Sequence, residues 1–234
     1  MIQLVKSCLF LMCTLSAFAA TAQMEVNVLI KKVSEKIDKV NNYEASGKMK
    51  TDVSFLKVPE STVKIYFKKP DKLKIKNEKG ISFVPKGAVS INLSNILNGH
   101  NYTVIDAGTD KIGNLVVRVV KLLPEDDNAD VVLSTVYIDE ANLLIKKAKT
   151  TTRENGSYQL EMVYGKYAAY GLPDKIDFTF NTKDYKLPKG VTFDFDDGTN
   201  ANKTPADASK KNKGMAEITF FSYSINKGVS DSVF

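Results

Sequence analysis

Polar and apolar positions alternate with two different periods along this chain. From Glu25 to Asn42, Val26, Leu29, Ile30, Val33, Ile37 and Val40 recur at spacings of three and four. Lys31, Lys32, Glu35, Lys36 and Lys39 fill the other side. That spacing predicts one amphipathic helix. From Tyr43 the period becomes two. In Tyr43–Phe55 the odd positions carry Tyr, Ala, Gly, Met, Thr, Val and Phe, and the even ones Glu, Ser, Lys, Lys, Asp and Ser. The same alternation predicts strands at Thr62–Lys69, Lys72–Asn77, Tyr102–Ala107, Leu115–Leu123, Val131–Asp139, Leu143–Arg153, Ser157–Tyr167, Lys175–Asn181 and Met215–Ile225. Turn signals separate many of them, at Pro70-Asp71, Lys79-Gly80, Asp139–Asn142, Glu154-Asn155-Gly156 and Leu172-Pro173-Asp174. A short helical turn at Leu93–Leu97 is the only other helix signal. The expectation is an α+β chain: a meander of about ten antiparallel strands after one helix.

One parity of these strands is large and apolar: Phe55; Val63, Ile65 and Phe67; Leu73 and Ile75; Leu160, Met162 and Tyr164; Ile176, Phe178 and Phe180. Lysine dominates the opposite parity around Val63–Lys76. One helix is little material to cover so much apolar sheet. The inner face is therefore either an ordinary core or, in part, the lining of a cavity for an apolar ligand.

Two segments stand outside the sheet. Lys6 followed by the apolar run Leu9–Ala20, and then Ala20-Thr21-Ala22, reads as a secretory signal cleaved after Ala22. An uncleaved anchor is the competing reading, but the run is short for a membrane span and lacks a charged flank after it. Both cysteines, Cys8 and Cys13, lie within residues 1–22. Met12 before Cys13 disfavours lipidation there, since a lipoprotein signal needs a small residue at that position. The mature chain, one domain over 23–234, is then expected to have neither disulfide nor thiolate metal site. The second segment, Asp184–Gly214, is rich in Lys, Asp, Asn, Pro and Gly, and is expected to be an exposed insert with at most a short strand at Val191–Asp196. Within it, Asp194–Asn200 fails the spacing of a calcium loop and reads as an Asp-Gly turn.

Charge and chemistry narrow the function. The net charge of +6 is carried by lysine, with only Arg118 and Arg153 as arginines. Arginine is the usual reader of phosphates and bases, so no nucleic-acid partner is expected, while attraction to anionic membrane surfaces stays open. The single histidine, His100, sits in a turn-like Gly-His-Asn. No nucleophile elbow, zinc-protease motif, phosphate loop or dinucleotide fingerprint is present. The acidic run Glu125-Asp126-Asp127 follows Pro124 and reads as a solvated loop. No enzyme activity, cofactor or metal is expected.

Several stretches together resemble the LolA/LolB-like periplasmic carriers, the outer-membrane lipoprotein-sorting proteins. They are the helix directly after the signal, "YEASGKMK" (Tyr43–Lys50), "VKIYFKKPDKLKIK" (Val63–Lys76), "VYIDEANLLIKKAKTTTRENGSYQLEMVYGKY" (Val136–Tyr167), "YGLPDKIDFTF" (Tyr170–Phe180) and the ending "YSINKGVSDSVF" (Tyr223–Phe234). The resemblance implies an incomplete, open antiparallel β-barrel of about eleven strands, with the N-terminal helix and a short helical plug in its concavity. It implies a cavity that takes lipoprotein acyl chains or another lipid, an inner-membrane donor, an outer-membrane acceptor and a monomeric carrier. Sensors that bind lipoproteins or a membrane partner without transporting them share the fold and are the alternative. The early-strand arginine of such carriers has no counterpart, because no arginine precedes Arg118.

Overall fold

The computed structural model describes residues 24–53, 56–57, 60–70, 72–77, 97, 102–154, 156–181 and 213–234. The signal at 1–22, Phe55, His100, and the insert up to residue 212 with Val191–Asp196 and Asp194–Asn200 all lie outside them.

The first element is helix α1 (Val26–Ile37). It starts where the Glu25 carboxylate accepts the Val28 amide at 3.0 Å, satisfying one of the amides that a helix start leaves unpaired. Leu29 and Val33 are fully buried, with Met24, Val26, Ile30 and Ile37 packed around them, so the helical spacing in the sequence marks the buried stripe. The helix is shorter than its apolar period, because Asn42 already belongs to a strand. Val40, the last residue of that period, is buried in the connecting turn.

Eleven strands follow in chain order: β1 (Asn42–Val53), β2 (Leu56–Lys57), β3 (Ser61–Lys68), β4 (Lys72–Asn77), β5 (Tyr102–Ile112), β6 (Leu115–Pro124), β7 (Val131–Asp139), β8 (Leu144–Thr152), β9 (Ser157–Val163), β10 (Lys175–Asn181) and β11 (Lys213–Ile225). They form one antiparallel sheet in the order β4-β3-β1-β11-β10-β9-β8-β7-β6-β5, with β2 paired to the end of β1. β4 and β5 end the order and do not pair with each other, so the barrel is open. The alternation predicts the α+β antiparallel meander, and the resemblance to the carriers implies its open barrel. β4 manages its free edge with Lys72, Lys74 and Lys76, all exposed.

Three strand bounds differ from the expected ones for reasons the structure shows. β5 runs on past Ala107 to Ile112, because Gly113 (φ 59°) makes a hairpin into β6. β9 stops at Val163, and a 3₁₀ turn at Ala168–Tyr170 replaces its expected end. β11 begins at Lys213, so Lys213 and Gly214 belong to the sheet and not to the insert. Gly214 pairs with Phe180. A Cβ there would sit 2.3 Å from the Phe180 ring, so only glycine lets that ring lie over the strand.

Polar ties at one end of the sheet explain the Lys-Lys-Pro and C-terminal motifs. Lys69 Nζ donates to the Asp38 backbone oxygen and side chain (2.8 and 2.9 Å), closing the helix end. Lys68 and Lys72, directly opposite one another, both donate to Asp231, at 2.9 and 2.7 Å. Asn226 accepts from the Asn41 amide at 2.7 Å and donates to the Lys39 carbonyl at 2.8 Å. The Gly228 amide donates to the Asn42 side chain at 2.8 Å. The ending that resembles the carriers is thus a strap across the α1–β1 junction.

Candidate functional site

The inner face can be read row by row from the strand register. One row runs Thr51, Ala216, Phe178, Leu160, Ala148, Val136 and Val120, from β1 across to β6. The next runs Gly214, Phe180, Tyr158, Thr150, Ser134, Leu122 and Val104, reaching β5. On the other side of the first lies Met49, Ile218, Ile176 and Met162. Toward the β4 edge the rows are Tyr43, Phe67, Leu73 and Ala45, Ile65, Ile75. Every predicted site residue among the described ones has this inward parity.

The residues fall into two clusters. Leu160, Met162, Ile176, Phe178 and Phe180 join Leu29 and Val33 of α1, with Tyr164 and Phe220 packed alongside. Leu97, the described residue of the Leu93–Leu97 turn, is in this cluster as well. Val63 and Ile65 form a second cluster with Ala45, Met49 and Ile218, flanked by Tyr43, Leu73, Ile75 and Tyr223. That cluster contains no residue of α1. Phe67 is buried, with its ring 5.2 Å from Tyr43. Among the described residues α1 thus joins only the first cluster, while Val63, Ile65 and Phe67 of the β1–β3–β4 side are themselves buried.

Tyrosines join the two parts. Tyr223 lies 5.3 Å from Tyr43, 4.9 Å from Tyr167 and 4.9 Å from Phe220. Its hydroxyl donates to the Pro173 carbonyl at 2.8 Å, and that of Tyr164 to the Ile145 carbonyl at 2.8 Å. With their polar tips engaged in the protein, these rings offer only apolar surface. Burial pushes the phenols of Tyr43, Tyr164 and Tyr223 well up, so they stay neutral.

Besides Thr51 in the first row, two polar features interrupt the inner face, and the alternation marks neither. Ser134 and Thr150, both buried, hydrogen-bond each other at 3.0 Å. Arg118 has the parity of Val120 and Leu122, is 7% exposed, and forms an ion pair with Asp106. Its Nε lies 3.9 Å from Glu140 Oε1, with no hydrogen bond on either atom. The signal for Arg118 was its setting, one arginine within the apolar stretch "LVVRVV". Its strand lies far along the chain from the early strands where the resemblance would place such a residue.

No family model matches the sequence, and no curated protein is similar to it. Solved structures are similar in fold over nearly the whole chain. A LolA superfamily protein from Nitrosomonas europaea superposes with a TM-score of 0.56 at 8% identity, covering 91% of this chain and 98% of that one. A domain assigned as an outer membrane lipoprotein-sorting protein from Vibrio parahaemolyticus gives 0.53 at 10% identity, with 89% and 96% covered. A DUF1329 family protein from Desulfovibrio piger gives 0.52 at 11% identity, with 91% and 98% covered. At these identities the likeness is one of fold: the chain shares the open half-barrel of these structures.

Proposed function

We propose that this protein is an extracytoplasmic carrier. It shields the acyl chains of a lipoprotein, or of another lipid, in the concavity of its half-barrel during transfer to the outer membrane. The observation that carries the reading is the division of the inner face. Continuous apolar rows cross the sheet, yet α1 contributes to only one of the two clusters. The cluster of Ala45, Met49, Val63, Ile65 and Ile218, with Phe67, Leu73 and Ile75 beside it, is where an acyl chain would lie. Phe55 and the Leu160–Phe180 set would extend that lining.

Elementary energetics give the reason for such a fold. A buried CH₂ is worth about 0.8 kcal/mol, so one long acyl chain costs on the order of 10 kcal/mol in water. A concavity with an apolar inner face and a lysine-coated outer face removes that cost without covalent chemistry. The lipoprotein-sorting assignment of the similar Vibrio domain supports the reading. The chain is exported, loses residues 1–22, and works in the periplasm as a monomer between a membrane donor and an outer-membrane acceptor. It needs no cofactor and catalyses no reaction.

The test has two arms. A fluorescent fatty acid should bind the mature protein and be displaced by a lipopeptide. The loaded protein should then give the lipopeptide up to acceptor vesicles. Binding without release would favour a sensor, and absence of binding would leave the concavity an ordinary core.

A further inference from the structure

On the solvent side of α1, outside the concavity, lies an open cleft of about 390 Å³, lined by Lys32, Glu35, Lys36, Lys39, Leu143 and Ala169. Lys32 and Lys36 stand four residues apart on one side of α1, and Lys39 follows in the turn after it. Lys36 is anchored, its Nζ donating to the Asn142 carbonyl at 2.6 Å. Glu35 is the only acid lining the cleft, against three lysines. Burial and the neighbouring Lys39 lower the Lys36 pKa, with Asp139 opposing them. Cations held this close repel one another until an anion enters. Exposed apolar side chains flank these lining residues along the chain: Val28, one turn before Lys32, is 44% exposed, and Tyr170, next to Ala169, is 43% exposed.

We infer that this cleft is a membrane-docking site that takes the phosphate headgroup of an anionic lipid. The lysines supply charge complementarity to a phosphate, and flexible lysine stems suit a headgroup layer. Val28 and Tyr170 decide between a bilayer and a soluble anion. A free phosphate would leave both in water, whereas at a bilayer surface an exposed aromatic and an aliphatic side chain beside lysines enter the interfacial region. The docking site is independent of what fills the concavity, and its test needs no acyl cargo.

The mature protein is sedimented with vesicles of phosphatidylcholine alone and with 30% phosphatidylglycerol. Two triple variants with equal charge loss are compared: Lys32→Gln/Lys36→Gln/Lys39→Gln in the cleft, and Lys64→Gln/Lys74→Gln/Lys76→Gln on the outer face of β3 and β4. Binding is expected only to the anionic vesicles and should weaken as salt rises. Each lysine near such a surface contributes about fivefold, so the cleft triple should lose on the order of a hundredfold and the control far less. A cleft double variant, Lys32→Gln/Lys39→Gln, keeps the Lys36–Asn142 bond and should lose more than tenfold with an unchanged melting temperature. Equal losses in the two triples would reduce the effect to net charge and overturn the site. So would failure of the parent to bind anionic vesicles, or inorganic phosphate binding at the cleft lysines without vesicle binding.

Discussion

Replacing Phe178 and Phe67 by alanine, separately, asks whether the two halves of the inner face differ in kind. Phe178 is 2% exposed and lies 5.5 Å from the Tyr158 ring and 5.4 Å from the Phe180 ring, within the cluster that contains α1. Its removal leaves a hole between packed neighbours, at a cost of about 3–5 kcal/mol. With an m-value of about 2–3 kcal/mol per M of urea, the midpoint should fall by about 1–2 M. Phe67 is equally well buried, but its ring partner is Tyr43, and it belongs to the side whose cluster contains no residue of α1. On the carrier reading, the groups that bury this ring on the side away from Tyr43 are the ones cargo displaces, so they hold it less firmly. Phe67→Ala should therefore cost about half as much, since dispersion lost scales with neighbouring atoms. It should weaken the fatty-acid probe more than Phe178→Ala does. The assay is a pair of urea curves and a probe titration for each variant. If Phe67→Ala shifts the midpoint as far as Phe178→Ala, and the parent binds no probe, the inner face is close-packed throughout and the carrier reading fails.

Ile65 is inside and Lys64 outside, so Ile65→Glu should lose more than about 3 kcal/mol through a buried unpaired charge, while Lys64→Glu stays within about 1 kcal/mol. Lys64→Glu even removes a like-charge pair with Lys76 directly opposite, at the expense of the 3.9 Å contact to Glu44; similar urea midpoints for the two variants would refute this parity. Asp231 is held at about 2 by Lys72 and Lys68, below its ordinary value near 3.8. A depressed carboxylate contributes above its unfolded value and is lost as pH falls through its folded one, so the C-terminal strap should loosen only between about pH 4 and 2. Amide exchange of Val233 and Phe234 would show it, and loosening already at pH 6 would exclude Asp231 as the cause. Replacing Ser134 alone by alanine strands the buried Thr150 hydroxyl and should cost about 1–3 kcal/mol, whereas the double change Ser134→Ala/Thr150→Val should cost no more than the single one. Urea curves of the two variants check this coupling, and a double change costing the sum of two singles would disprove it.

Periodicity made the sheet legible because its two faces differ so strongly in polarity. Strands such as β4, β7 and β10 have the bounds that alternation marks. Where tertiary contacts overrule local pattern, the ends moved: Asn42 joins β1, and Gly214 is needed under Phe180. The site was legible only as a parity. Which apolar residues meet α1 depends on how the helix crosses the sheet, and no spacing encodes that. Arg118 had no legible role because a strand's pattern does not say that a charge on its apolar parity finds Asp106, the last paired residue before the β5 bulge. The Lys-Lys-Pro motif was read as a turn, and its lysines turn out to be ties. Lys69 holds the helix end, and Lys68 and Lys72 hold Asp231.

A carrier must also let go, and the polar groups of the inner face bear on that. Moving an acyl chain from a bilayer into a protein exchanges one apolar surrounding for another, so most of the on-the-order-of-10 kcal/mol cost of exposure in water cancels. What remains is the difference between bilayer and concavity. A fully apolar, close-packed concavity would hold its cargo more tightly than the membrane it should deliver to. The buried Ser134–Thr150 pair, each hydroxyl partnered by the other, and the Arg118–Asp106 ion pair, which leaves the Arg118 Nε without a hydrogen bond, lower the apolarity of that face. On the carrier reading, a sheet that carries both long apolar rows and these polar groups would make transfer nearly isoenergetic. Direction would then come from the acceptor, and not from the strength with which the concavity binds.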